Sequence, residues 1–229
     1  MCKTIIFIGI LIMIVSFRSE NDISETLKAV KEKYDKVNDY TATGKLKTNV
    51  IFIKAPVATV KIYYKKPDKL KVKNEKGISL IPKGTVNINL NNVLGLTKFE
   101  SFDGGKEKVG SKICQVIKIF PLDDKDEISR ATLYVDETEM LVMKSVITSK
   151  DNGTYELVLS YGNQKSWALP DKVEFTFNIK EYKLPKGITV DYDNGSDRSE
   201  QNKKEKKGRV EIKYSDYSIN KGIADDVFK

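Results

Sequence analysis

Apolar residues recur along this chain with two different periods, and the period changes near Tyr40. Before that point Ile23, Leu27, Val30, Tyr34 and Val37 are spaced four, three, four and three residues apart. That spacing places them on one face of an α-helix. Asp22 followed by Glu25 reads as a capping box at its start. Lys28, Lys31, Glu32 and Lys36 occupy the opposite face. The mixed charge and narrow apolar stripe predict a helix that packs on a domain rather than one lying on a membrane.

After Tyr40 the period is two. Ala58, Val60, Ile62 and Tyr64 alternate with Thr59, Lys61, Tyr63 and Lys65, and Leu70 and Val72 alternate with lysines. Val86, Ile88 and Leu90 continue the pattern, as do Ala131, Leu133 and Val135, then Leu141 and Met143. Tyr155, Leu157 and Leu159 follow, then Val173, Phe175, Phe177 and Ile179, and finally Val210, Ile212 and Tyr214. Strict alternation means strands with one face buried and one wet. Turn residues separate them at Asn74–Gly77, Pro82–Gly84, Asp103–Gly105, Asp151–Gly153 and Pro185–Gly187. The pattern predicts an antiparallel meander of about ten strands behind one helix.

Two segments break the alternation. Leu90 to Phe102 (LNNVLGLTKFESF) suits a short second helix. Asp193 to Gly208 (DNGSDRSEQNKKEKKG) has no apolar residue and reads as an exposed polar loop.

A sheet with a continuous apolar face has to cover it. One helix and a short second one are little material for the concave side of so many strands. The sheet then either closes on its own side chains or leaves an apolar cavity. Val60, Ile62, Tyr64, Leu70, Val72, Ile88, Leu133, Met143, Tyr155, Leu157, Phe175 and Phe177 are the candidate lining of such a cavity. In the closed alternative the same residues are plain core.

The first residues carry a different message. Lys3 precedes Ile5 to Phe17, a run without charged residues. It is shorter than the roughly 20 residues of a membrane span and fits a signal-peptide core. Residues 1–20 are therefore expected to be a signal peptide or a signal-like anchor, with residues 21–229 a single exported domain. Cys2 lies ahead of the apolar run, so it is not placed to be a lipid-attachment cysteine.

Composition narrows the chemistry. The 229 residues include 40 basic and 32 acidic residues, a net charge of +8, and no histidine. Without imidazole the Ser-His-Asp and Cys-His mechanisms are excluded, and so is the commonest metal ligand. Cys114 sits on an apolar strand and is expected to be buried and inert. The acidic run Asp123, Asp124, Asp126 and Glu127 reads as a hairpin turn rather than a catalytic pair. Neither an enzyme nor a cofactor is expected. The lysines of the segment Tyr63–Gly84 fall on the wet parity of their strands, so a nucleic-acid surface is not needed to explain them.

The order of these features resembles the LolA/LolB family of periplasmic lipoprotein carriers and receptors. The phrase VKIYYKKPDKLKV places Lys66 and Pro67 at the end of one strand and Leu70 at the start of the next, as in that family. Asn220, Gly222, Asp225 and Phe228 match its closing Asn-x-Gly-x-x-Asp-x-x-Phe. Trp167 to Phe175 (WALPDKVEF) resembles the Leu-Pro start of a late strand in related envelope proteins. The resemblance implies a mainly β, α+β fold, a curved incomplete antiparallel barrel with helices on its open side. It implies a periplasmic monomer that carries acyl chains of lipids or lipoproteins between inner- and outer-membrane transfer partners, without chemistry. An alternative on the same fold is an envelope sensor that binds a membrane regulator. At the family's latch position the soluble carriers have an arginine that bonds the helical lid. Here it is Lys66, which lacks the planar fork of donors.

Overall fold

The computed structural model describes residues 20–50, 53–54, 57–76, 90–151, 153–178 and 207–228. The segment ahead of Glu20, Ile88, Ile179, the turns at Pro82–Gly84 and Pro185–Gly187 and residues 193–206 of the polar loop lie outside them.

Helix α1 spans Glu20–Asp35, and the predicted apolar face is the buried one, with Ile23, Leu27 and Val30 all in the core. Asp22 lies inside this helix, two residues past its first residue, rather than at the N-cap position expected of it. The end of the helix is closed by side chains from distant strands. The Lys66 ammonium donates to the Asp35 carbonyl at 2.6 Å, and the Asn220 amide donates to the Lys36 carbonyl at 2.8 Å. These are carbonyls that a helix end leaves without partners, and the positive charge suits the negative end of the helix dipole.

The strands are β1 (Asp39–Val50), β2 (Ile53–Lys54), β3 (Ala58–Lys65), β4 (Lys69–Lys76), β5 (Phe99–Val109), β6 (Lys112–Pro121), β7 (Ile128–Asp136), β8 (Leu141–Ser149), β9 (Gly153–Ser160), β10 (Lys172–Asn178) and β11 (Lys207–Ile219). One antiparallel sheet runs β4-β3-β1-β11-β10-β9-β8-β7-β6-β5, with β2 folded back on the end of β1. The last strand, β11, is thus inserted between β1 and β10, which ties the chain's end to its beginning. β4 and β5 end the order and do not pair with each other among the described residues, so the barrel is incomplete. Helix α2 (Leu90–Leu94) supplies the short second helix, and Leu90, expected to end a strand, begins it instead.

Several irregularities differ from the simple alternation. Asp103–Gly105 is not a turn but a bulge inside β5, and the chain reverses further on, around Gly110. A side chain at Gly104 would come within 2.7 Å of Val116, which explains the bare backbone there. Asn74 is still part of β4, so the expected turn there has not begun. Around Met143 the β7–β8 register slips, with Tyr134 opposite Lys144 but Val135 opposite Val142. Met143 is the extra residue of that bulge, so the inward parity passes from Ser145 to Val142. In β11, Asp216 at φ 51° marks a bulge opposite β1, and it lets Tyr214 and Tyr217 share one face with their rings stacked at 5.7 Å.

The concave side divides into two halves. In the half formed by β6, β7 and β8, helix α1 and the apolar residues Val93 and Leu94 of α2 join Ile117, Ile119, Leu133, Val135, Val142 and Ile147 in one buried cluster. One and a half helices do fill this half. The outer face carries ion pairs along the strands, among them Lys144–Glu156 at 2.9 Å, Lys172–Glu174 at 2.7 Å and Arg209–Glu174. Lys73 lies over the Tyr63 ring, 5.5 Å from its centroid. The lysines of β3 and β4 belong to this wet face.

Candidate functional site

The other half of the concave side, over β3, β1, β11, β10 and β9, is not filled. It holds a cavity of about 160 Å³. Its floor is a set of cross-strand rows. Leu46, Ile212, Val173 and Leu159 are register partners across four strands, and Val210, Phe175 and Leu157 form the next row. Ile62 and Val72 pair across β3 and β4, as do Tyr64 and Leu70. Tyr34 comes from the last turn of α1 and Val37 from the link to β1, Leu90 and Asn91 from α2, and Trp167 to Pro170 from the loop before β10. No charged side chain is among the described lining residues.

Gly44 sits in the middle of this floor. A Cβ there would come within 2.8 Å of Ile62 and 3.2 Å of Ile212. The glycine lets these side chains close over the strand and lets the sheet bend.

Tyrosines ring the cavity. Tyr40 stacks on Tyr64 with ring centroids 5.2 Å apart and meets Tyr217 edge-on at 5.5 Å. The hydroxyls of Tyr34 and Tyr161 are 2.8 Å apart, and Tyr161 donates onward to the Val142 carbonyl at 2.9 Å. Tyr217 donates to the Pro170 carbonyl at 2.7 Å, which holds the Trp167–Pro170 loop. Burial pushes the Tyr34 and Tyr64 phenols up to about 12. Burial also raises Tyr161 and Tyr217 well above the usual range. All of these phenols are therefore neutral at physiological pH.

Two contacts fasten the walls. The Asn91 amide of α2 donates to the Tyr64 hydroxyl at 2.6 Å, a direct link between the short helix and β3. Lys66, at the end of β3, bonds both the carbonyl and the carboxylate of Asp35, at 2.6 and 3.1 Å. Its partner is thus the end of α1, not α2. The closing motif also has a structural task. Asn220 accepts from the Asn38 and Asp39 amides, Asp39 accepts from those of Lys221 and Gly222, and Asp225 pairs with Lys65 and Lys69, each at 2.9 Å. Gly222, at φ 80°, supplies the left-handed turn that brings the tail back across β3 and β4.

Of the residues singled out in the sequence, Ile62, Tyr64, Leu70, Val72, Leu157 and Phe175 line the cavity. Val60, Leu133, Tyr155 and Phe177 belong to the buried cluster without lining it. Val60 packs over Gly44, and the Phe177 ring lies directly on Gly208, its partner across β10 and β11. Met143 is at its bulge, half-buried and away from the cavity. Ile88 lies outside the described residues. Leu46, Leu159, Val173, Val210 and Ile212 were not singled out, although four of them stand in alternating runs. Tyr40 and the Trp167–Pro170 loop carry no periodic signal at all. Cys114 is fully buried, and burial pushes its thiol up to about 11, which makes it unreactive.

The geometry can be set beside known structures. A protein of the DUF1329 family from Desulfovibrio piger superposes with a TM-score of 0.53 at 14% identity, over 90% of this chain and 97% of that one. The domain of a putative outer membrane lipoprotein-sorting protein from Vibrio parahaemolyticus gives 0.54 at 10% identity, over 90% and 97%. A LolA superfamily protein from Nitrosomonas europaea gives 0.51 at 10% identity, over 89% and 97%.

The fold is LolA-like.

The likeness spans nearly all of each chain, as the order of motifs in the sequence implies. No family model matches the sequence, and no curated protein matches it either. The LolA-like fold here keeps its open concave side and its helices on that side. Among the described residues no helix is long and apolar enough to cross a membrane, and no cluster of acidic or thiol side chains could hold a metal ion.

Proposed function

We propose that this protein is an exported, periplasmic carrier that takes up an acyl chain of a lipid or lipoprotein in the cavity over β3, β1, β11, β10 and β9. It would hand the chain on toward the outer membrane, with residues 1–20 as the export signal and no covalent chemistry. The observation that carries this reading is the cavity itself: apolar, with no charged side chain among its described lining, ringed by neutral phenols, and placed on the open side of a LolA-like sheet. The names of two similar structures, a lipoprotein-sorting protein and a LolA superfamily member, support it at the level of the fold.

Size sets the cargo. An engineered cavity of about 150 Å³ holds one benzene, so about 160 Å³ holds roughly the last six carbons of a chain. At about 0.8 kcal/mol per methylene this amounts to about 5 kcal/mol before ordering costs. Such a gain gives affinity near the millimolar to high micromolar range. A longer chain therefore needs the cavity to widen, and α2, which Asn91 ties to Tyr64 of β3, is the wall proposed to move. Native mass spectrometry of the protein purified from its own envelope tests the reading. Acyl-lipid adducts are expected. An apo protein that also takes up no fluorescent acyl ester would overturn it. The solid packing under α1 favours a second reading, an envelope interaction protein on the same fold. A pull-down that recovers a membrane protein, with an empty cavity, selects that one.

A further inference from the structure

The cavity wall has one polar feature that an acyl chain alone does not use. Tyr40, on β1, and Tyr214, on β11, both line the cavity, and neither hydroxyl makes a hydrogen bond among the described residues. The other tyrosines around it are engaged: Tyr34 with Tyr161, Tyr217 with Pro170, and Tyr64 as acceptor from Asn91. The Tyr40 hydroxyl lies close enough to those of Tyr214 and Tyr64 for each to oppose its ionisation. Tyr40 stacks on Tyr64, and Tyr40 and Tyr214 both pack on the Tyr217 ring, so these phenols form one aromatic cluster in the wall of the apolar space. Burial pushes Tyr214 up to about 12 and raises Tyr40 well above its ordinary value, so both remain protonated donors.

The rest of the wall decides what they can hold. Among the described residues no lysine or arginine lines the cavity, so a carboxylate brought inside would meet no counter-charge from them. Burying an unpaired carboxylate is far more costly than burying a carbonyl that accepts a hydrogen bond.

We infer that the cavity selects acyl groups presented as uncharged carbonyls, esters or amides, through the free hydroxyls of Tyr40 and Tyr214, and discriminates against free fatty acids. This rests on the acyl-binding reading and names the chemical form of its cargo. It excludes a role as a scavenger of free fatty acids and points to intact acyl lipids or acylated proteins.

Short probes matched to the cavity test it. Benzene, methyl hexanoate, N-methylhexanamide and sodium hexanoate at pH 7.5 are titrated against the protein by methyl-detected NMR. The ester and the amide are expected to bind at least tenfold more tightly than hexanoate. In the double variant Tyr40→Phe/Tyr214→Phe, which keeps the stacked rings, ester affinity falls at least fivefold while benzene affinity stays within twofold. The unchanged benzene affinity also shows that the variant has kept its fold. Equal affinities for ester and carboxylate overturn the inference, and so does an ester affinity insensitive to the double substitution. If benzene and every other probe fail to bind the wild-type protein, the cavity reading falls and this inference with it.

Discussion

At the scale of single residues, the most informative positions are those where a side chain disagrees with its surroundings. Gln115 on β6 is fully buried, and neither its amide oxygen nor its nitrogen has a partner among the described residues. An unsatisfied buried amide costs about 1–3 kcal/mol. Gln115→Met, similar in shape and free of polar hydrogen-bonding groups, is therefore expected to stabilise the protein. For a chain of this size about 1 kcal/mol corresponds to roughly 2–4 °C in Tm. A melting curve checks this, and a lowered Tm would show that the amide is satisfied after all. The same scale shows what the sequence could not say. Phe177 is inward by parity, as predicted, yet its ring covers Gly208 rather than the cavity. Met143 has the right parity in the sequence but follows a register slip that alternation alone does not reveal. Tyr214 and Tyr217 share a face only because of the bulge at Asp216, a local backbone feature with no periodic trace.

At the scale of elements, helix and strands were legible because each buries one face. The face of α1 and the alternation of β3, β7, β9, β10 and β11 follow directly from the spacing of apolar residues. The short α2 and the Trp167–Pro170 loop were less visible, because each contributes a few apolar residues and no full period. Two attachments separate fold from gating. Lys66 holds the end of α1 through Asp35. Its side chain is about one-third exposed, which limits the ion pair to the lower range of about 0.2–1 kcal/mol. Lys66→Ala is expected to lower Tm by a few degrees at most, with acyl-probe release unchanged. Asn91→Ala removes the link from α2 to Tyr64. A typical intramolecular hydrogen bond is worth about 1 kcal/mol, so loss of this part-buried one should make release of a fluorescent acyl ester roughly fivefold faster. Stopped-flow dilution distinguishes the two. Faster release in Lys66→Ala with none in Asn91→Ala would move the latch back to the position the family resemblance implies.

At the scale of the whole molecule, distant segments are joined by charge. For Asp35, burial alone would raise the carboxyl, but the bonds from Lys31 and Lys66 outweigh it and hold it below its ordinary 3.8. Asp136 is likewise raised by burial but held low by Lys112 and the Thr138 amide. Asp225, bonded by Lys65 and Lys69, is also lowered. A carboxyl depressed in the folded state contributes stability that is complete above its unfolded value and is lost as pH falls through the folded one. The urea midpoint should thus be flat from neutral pH down to about 4.5 and fall at lower pH. Asp136→Asn should weaken that fall; an unchanged profile would show that the pair with Lys112 adds nothing. The open sheet was legible at this scale, since no further helical period was available to close it. The division into a solid half and a hollow half was not, because it depends on where α1 lies across the strands.

The central claim is that the hollow half holds an acyl chain. Val173 lies on the cavity floor between Leu159 and Ile212, and it is only half-buried, so a larger side chain has somewhere to go. Val173→Trp fills the space from the sheet side and leaves the residues of the tail clamp unchanged. The decisive measurement is equilibrium titration of the wild-type and Val173→Trp proteins with a fluorescent acyl ester, alongside their melting curves. Saturable binding by the wild type, reduced at least tenfold in a variant that melts within a few degrees of it, is the predicted result. Equal binding by both proteins, or none by the wild type, would contradict the account.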